Sequence, residues 1–247
     1  MNHLRGLYRL LLFASSASLL IGRILLLSLV SGTDIRRSMR LRLRWLRWLL
    51  PRLGVRLHTQ GTPPDFPCII MGNHRSYLDP VAMSALVLAY PVSKAEVSNW
   101  PIVGYGAQVS GVLYLKRESL GSRKRTLSGI AEKLREGFPV ILFPEGTSHS
   151  EPTSIAFKPG GFMLAAAEGF PVVPVAVEYR SPKDYWVGHD TFLPHFLRRF
   201  GEREMHVYLH FGPKIESVDG LEMLAQARAW VDAELRSIQA GFVRQQR

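Results

Sequence analysis

The chain has 247 residues, 47% of them hydrophobic, which is enough for one large α/β core and too few for two comfortable domains. Its formal charge of +11 is lopsided: residues 1–58 carry eleven Arg against the single acid Asp34, and the remainder is almost neutral. A near-neutral domain has no broad phosphate track, which argues against a nucleic-acid binder, and a lone cysteine, Cys68, excludes an intramolecular disulfide.

From Leu10 to Val30 the chain is almost wholly apolar, with Arg23 as its one charge, at the lower edge of the roughly 20 residues that cross a bilayer. It suits a full span, or a helical hairpin or shallow insertion in which Arg23 snorkels to the headgroups. A signal sequence ranks behind both, because the stretch is long for a signal core and an Arg interrupts it. Residues 34–51 predict a basic amphipathic helix, with Arg36, Arg40, Arg44 and Arg47 on one side, Leu43, Leu46 and Leu50 on another, and Trp45 and Trp48 suited to headgroup depth. Arg42 falls on the apolar side, and residues 40–45 alternate in a way that also suits a strand. A solvated basic face or a nucleic-acid patch is the alternative to membrane lipid as partner. If residues 10–30 span, the arginines after them hold the rest in the cytoplasm. The expected division is 1–58 as a membrane anchor and 59–247 as the catalytic domain.

Beyond the turn-rich Gly61-Thr62-Pro63-Pro64, strands are predicted near 67–72, 111–115, 139–143, 172–179 and 205–211. Helices fit near 80–89, 122–136, 159–168 and 219–241. This alternation predicts an α/β fold, a mixed, mostly parallel central sheet flanked by helices, with chemistry in loops at strand ends. Cys68 reads as a small apolar strand residue. His206 and His210 flank Tyr208 and so share one strand face; no Cys or His cluster has metal-ligand spacing. Phosphate-loop and Gly-x-Ser-x-Gly signatures are absent.

The first strand runs into Asn73-His74-Arg75-Ser76-Tyr77-Leu78-Asp79-Pro80. Pro80 suits the first helical position, which makes Asp79 the expected cap. On a continuous helix His74 and Asp79 would point about 140° apart. They meet only through a turn, where the carboxylate orients the imidazole. Taken alone, the pair fits a helix cap beside a surface histidine better than an active site. Ser76 is a weaker candidate as covalent nucleophile, since no strained elbow aims it.

Three later blocks change the balance: Gly111-Val112-Leu113-Tyr114-Leu115-Lys116-Arg117, Phe143-Pro144-Glu145-Gly146-Thr147-Ser148 and Val173-Pro174-Val175. With the Asn-His…Asp block, they make residues of about 66–180 resemble the glycerolipid acyltransferase family, typified by 1-acylglycerol-3-phosphate acyltransferase. The resemblance implies catalysis by His74 and Asp79, and acceptor phosphate on Arg117. It places Glu145, Gly146, Thr147 and Lys158 at the substrate, with no cofactor or metal. It further implies transfer of a fatty acyl group from acyl-CoA or acyl carrier protein to the sn-2 hydroxyl of 1-acyl-sn-glycerol-3-phosphate, giving phosphatidic acid, at the cytoplasmic face of a bacterial inner membrane. Many members have Arg where Ser148 stands, followed here by His149. Lys94-Ala95-Glu96-Val97 and Trp100-Pro101 resemble bacterial relatives that acylate lyso-ornithine lipid, the alternative acceptor. A thioester hydrolase or a lipid-binding scaffold would be the competing classes.

Overall fold

The computed structural model describes residues 3–115, 120–188 and 190–244. Two helices come first. α1 (His3–Ser31) is the long apolar segment, and α2 (Ile35–Arg52) starts where Asp34 accepts the Arg37 amide at 3.1 Å, an ordinary N-cap. In α2 the exposed side carries Arg36, Arg40, Arg44 and Arg47, while Met39, Leu46, Leu49 and Leu50 are buried. Arg42, the residue that breaks the apolar stripe, is buried as well. Its guanidinium donates to the carbonyls of Ala89, Ser110 and Gly111 at 2.6–2.9 Å, and burial lowers its pKa to about 10. Trp48 is exposed and holds Arg52 over its ring, whereas Trp45 turns inward onto Phe13 rather than toward headgroups.

The described residues then build a seven-stranded sheet from β1 (Val55–Gln60), β2 (Ile69–Gly72), β3 (Tyr90–Lys94), β4 (Leu113–Leu115), β5 (Val140–Leu142), β6 (Val172–Tyr179) and β7 (Met205–Phe211). Its order is β1-β7-β6-β2-β5-β3-β4. Only the β6–β7 pairing is antiparallel, so the sheet is mixed and mostly parallel. The helices are α3 (Leu78–Ser84), α4 (Val103–Val109), α5 (Leu120–Arg135), α6 (Gly160–Glu168), α7 (Phe192–Arg199) and α8 (Gly220–Arg244). All eight residues of β6 are buried, as a central strand covered on both faces requires. β7 alternates buried Met205, Val207, Leu209 and Phe211 with half-exposed His206, Tyr208 and His210. One core face packs Ile70, Val175 and Val177 under α2, α3 and α7. The other packs Ile69, Met71 and Val172 under α6 and α8, whose Met223, Ala227, Val231 and Leu235 form a four-residue stripe.

Three expectations need correction. The division after residue 58 falls inside β1, which pairs with β7 through Gln60↔His210, so the sheet begins within the basic stretch. The helix expected over 80–89 runs from Leu78 to Ser84, and the chain after it enters β3 at Tyr90-Pro91. Helix α3 therefore starts before Pro80, and Asp79 lies in its first turn rather than at its cap, Tyr77.

The anchor is docked rather than separate. Arg9 donates to the carbonyls of Phe200 at 3.1 Å, Glu202 at 2.6 Å and Arg203 at 3.0 Å, just past α7, and Arg5 to that of Gly201 at 3.2 Å. Gly6 permits this approach, since a Cβ there would sit 2.7 Å from the Leu197 carbonyl oxygen. At the other end Arg37 bonds Ser31 Oγ at 2.5 Å and the Leu27 and Gly32 carbonyls. Leu4, Leu7, Tyr8, Leu11, Leu19, Leu26, Leu29 and Val30 stay exposed along the outer side.

Candidate active site

The site forms where parallel strands β2, β5 and β3 end side by side, the position an α/β sheet reserves for ligands. After β2, Asn73 is clamped to β6: its Nδ2 donates to the Val177 carbonyl and its Oδ1 accepts the Val177 amide, both at 2.8 Å. The next five residues form the turn that the His74–Asp79 spacing demands. His74 Nδ1 lies 2.7 Å from Asp79 Oδ2. The same oxygen accepts the Arg75 amide at 2.7 Å and the Ser76 amide at 2.9 Å, and Oδ1 accepts the Tyr179 hydroxyl at 2.6 Å. Asp79 is fully buried and acceptor-only, so its contact assigns the Nδ1 proton to His74 and leaves Nε2 for substrate. The imidazole, 19% exposed, stacks on Phe143 at 4.2 Å and lines the main cavity.

That cavity has a volume of about 800 Å³. Its walls are largely apolar, built from Phe13, Ala17 and Ile21 of α1, Trp45, Leu46 and Leu49 of α2 and the α4 face around Ala107. Near His74 the wall is aromatic. Tyr77 packs edge-on against Trp186 and Phe192, and Trp100 lies 4.8 Å from Phe192. Tyr77 donates to His195 Nδ1 at 3.1 Å while His195 Nε2 donates to the Tyr185 carbonyl at 3.0 Å. Burial lowers the His195 pKa and raises that of Tyr77, so this pair stays neutral.

The structure places the remaining sequence-derived residues unequally. Glu145 ends up inside. Its Oε2 accepts the His74 amide at 2.6 Å, its Oε1 accepts the Ile155 amide at 3.0 Å, and it is 3% exposed. His149 Nε2 lies 2.9 Å from Oε1 without hydrogen-bond alignment. Glu145 thus holds the backbone of His74 in place. Gly146 (φ +74°), Thr147 and Lys158 do line the cavity. The positive φ at Gly146 is what calls for glycine in this turn, since the atom a Cβ would meet, Lys158 Nζ at 2.5 Å, ends a flexible side chain that can move aside. Arg117 lies outside the described residues. Ser76 is 1% exposed, outside the cavity wall, and its Oγ accepts the Leu78 amide at 3.4 Å. Among the described residues no cluster of three His, Cys, Asp or Glu is placed to hold a metal ion.

Sequence reasoning passed over Arg75, Glu178 and Tyr179. Arg75 is fully buried, reaching the Glu151 carbonyl at 2.6 Å, the His149 carbonyl at 3.2 Å and Glu178 Oε2 at 3.3 Å. Glu178 also accepts Tyr185 at 2.5 Å and Gln239 at 2.8 Å. The available signal was an acid and a phenol closing a wholly apolar strand, where each needs a polar partner.

A buried carboxylate that holds an imidazole beside a largely apolar cavity suits proton transfer on an apolar substrate. The sequence profile of the Acyltransferase family matches residues 54–178. A lyso-ornithine lipid O-acyltransferase of Pseudomonas aeruginosa is 34% identical over 76% of this chain and 77% of its own length. A chloroplastic 1-acyl-sn-glycerol-3-phosphate acyltransferase of Brassica napus is 35% identical over 46% of this chain, and only 33% of that protein is covered. The crystal structure of the 1-acyl-sn-glycerophosphate acyltransferase PlsC from Thermotoga maritima superposes with a TM-score of 0.70 over 97% of this chain and 98% of that one, at 21% identity, which speaks for the fold. The chain belongs to the Acyltransferase family, as a membrane-associated O-acyltransferase of the lysophosphatidate and lysolipid type.

Proposed function

We propose that this enzyme transfers a fatty acyl group from acyl-CoA or acyl carrier protein to the sn-2 hydroxyl of 1-acyl-sn-glycerol-3-phosphate, forming phosphatidic acid for phospholipid biosynthesis. The observation that carries this reading is His74, held by Asp79 at 2.7 Å, opening on the apolar cavity of about 800 Å³. That size falls within the roughly 300–1,000 Å³ of ligand pockets, and each methylene it shelters from water contributes about 0.8 kcal/mol. Neutral His74 takes the acceptor proton at Nε2 as the oxygen attacks the thioester carbonyl. Asp79 stabilises the imidazolium, which returns that proton to the departing thiolate. No acyl-enzyme forms. Lys158 supplies positive charge at the cavity wall for acceptor phosphate or the developing oxyanion.

The docking of α1 favours insertion into one leaflet over a span. Arg5 and Arg9 hold one end of the helix to the catalytic domain, and the Arg37 contacts hold the other beside α2. A crossing helix would have to break one set. The exposed apolar side of α1 and the exposed arginines of α2 then meet acyl chains and anionic headgroups, on the cytoplasmic face of a bacterial inner membrane.

A second acceptor, lyso-ornithine lipid, is favoured by Ser148. Its hydroxyl donates to the Trp186 carbonyl at 2.5 Å, so no cation stands where many family members place one for phosphate. Purified enzyme in vesicles offered both acceptors with radiolabelled acyl-CoA and acyl carrier protein decides between them. Phosphatidic acid as the main product supports the first reading. Transfer only to lyso-ornithine lipid selects the second, and thiol release without either acceptor would make the protein a hydrolase.

A further inference from the structure

The His74–Asp79 contact uses one carboxylate oxygen; the other is committed elsewhere. Oδ2 gathers His74 Nδ1 and the amides of Arg75 and Ser76, which leaves Oδ1 facing the last residue of β6. There the Tyr179 hydroxyl donates at 2.6 Å. Tyr179 is 1% exposed and has little freedom. Its amide donates to Glu178 Oε1 at 2.9 Å, its ring meets Tyr185 edge-on at 6.0 Å, and Val177, two residues earlier, is clamped by Asn73. Burial next to Asp79 drives the phenol pKa well above its ordinary value, so the hydroxyl keeps its proton and donates it to Asp79.

We propose that Tyr179 is a positioning residue for acyl transfer, whose hydroxyl fixes the second oxygen of Asp79 and so sets the angle and the charge that the carboxylate presents to His74. The inference rests on the acid–base role given to His74 above. Two consequences follow from the geometry. Without the hydroxyl, Asp79 has donors on one oxygen only and can rotate about its terminal bond, which loosens the aim of the imidazole. The carboxylate also regains the charge that the phenol drew off, holds the imidazolium more tightly and makes it a poorer acid toward the departing thiolate.

The test compares wild type, His74→Ala, Tyr179→Phe, Asp79→Asn and the Tyr179→Phe/Asp79→Asn double variant in lysolipid acyl transfer across pH. Tyr179→Phe is expected to lower kcat roughly 10- to 100-fold, the span of one hydrogen bond to a charged group. KM should stay near wild type, and the acid limb of the pH profile should move to higher pH. In the Asp79→Asn background the same substitution should cost little more, because its effect passes through Asp79. Fluorinated tyrosine at position 179, of nearly the same size and a stronger donor, keeps the test open if the Phe variant fails to fold; it should move the acid limb to lower pH. A fully active Tyr179→Phe with an unmoved profile overturns the proposal, as does an equal loss in the Asp79→Asn background, or a fluorotyrosine enzyme whose profile does not shift. If wild type itself makes no acylated lysolipid, or His74→Ala retains full transfer, the underlying reading fails instead.

Discussion

Replacing Asp79 with Asn is the sharpest perturbation, because the surroundings accept an amide. Its oxygen fits at the Oδ2 position, where three N–H groups converge, and its NH2 faces the Tyr179 hydroxyl, which can turn to accept. The fold and the Nδ1-protonated tautomer should therefore survive, and what disappears is the negative charge. With Nδ1 and Oδ2 2.7 Å apart, the centres of imidazolium and carboxylate are about 4 Å apart, and at an effective dielectric of about 20 their attraction is about 4 kcal/mol. At about 1.4 kcal/mol per tenfold, that is a fall in kcat on the order of 10³. The assay is steady-state acyl transfer with thermal unfolding measured alongside. KM and the melting temperature should stay close to wild type. An Asn variant that keeps more than about a tenth of wild-type kcat would refute the claim that Asp79 works through charge on His74.

Other consequences are equally direct. Changing Leu19, Leu26 and Val30 together to Glu removes apolar surface that the fold leaves exposed; at roughly 1.5–3 kcal/mol for each buried side chain, vesicle co-sedimentation should drop at least 100-fold with circular dichroism unchanged. Ala107→Phe narrows the cavity wall at α4, so activity with long-chain donors should fall far more than with short-chain ones in a chain-length series. Glu178→Ala strands the buried Arg75 guanidinium and should cost about 3–5 kcal/mol in denaturant unfolding. Burial lowers the pKa values of both His58 and His195; the unfolded chain then takes up protons first as pH falls below about 6.5, so melting temperature should decline from pH 7.5 to 5.5. His195→Gln should flatten that slope.

The elements readable in the sequence are those whose burial writes itself into a period. β6 and β7, α8 and the apolar α1 each carry a long, regular pattern, and their expected positions agree with the structure to within a few residues except at the start of α1. The elements passed over lack one. β1 buries only Val55 fully and hides among arginines; α4 contains two glycines; α7 has a proline within eight residues and closes with two arginines. These segments form because other parts of the fold hold them, which no local window reveals. The site divides the same way. The His74–Asp79 turn followed from spacing and Pro80, although the true helix start at Leu78 moved Asp79 off the cap. Glu145 was found by its block, but its bond to the His74 amide, 71 residues away, forms only when β2 and β5 are laid side by side. Tyr179 lies a hundred residues from Asp79 and has no shared motif to announce the contact.

The anchor and the cavity are one construction. Phe13, Ala17, Leu20 and Ile21 of α1 face the cavity, while Leu19, Leu26, Leu29 and Val30 of the same helix face outward. A helix apolar on both sides is not stable against water on either. The cavity side asks for an acyl chain and the outer side for lipid, so one helix separates two apolar phases and excludes water from both. Arg23, exposed on the outer side, sets the depth: a charge there favours the headgroup level over the bilayer centre. Arg36, Arg40, Arg44 and Arg47, exposed along α2, add an attraction of about 1 kcal/mol each to an anionic surface. On the proposed function, a lysolipid seated in that leaflet would bring its hydroxyl to His74 without drawing its chain through water. Loosening α1 should accordingly harm chemistry as well as attachment, since the wall it provides is shared.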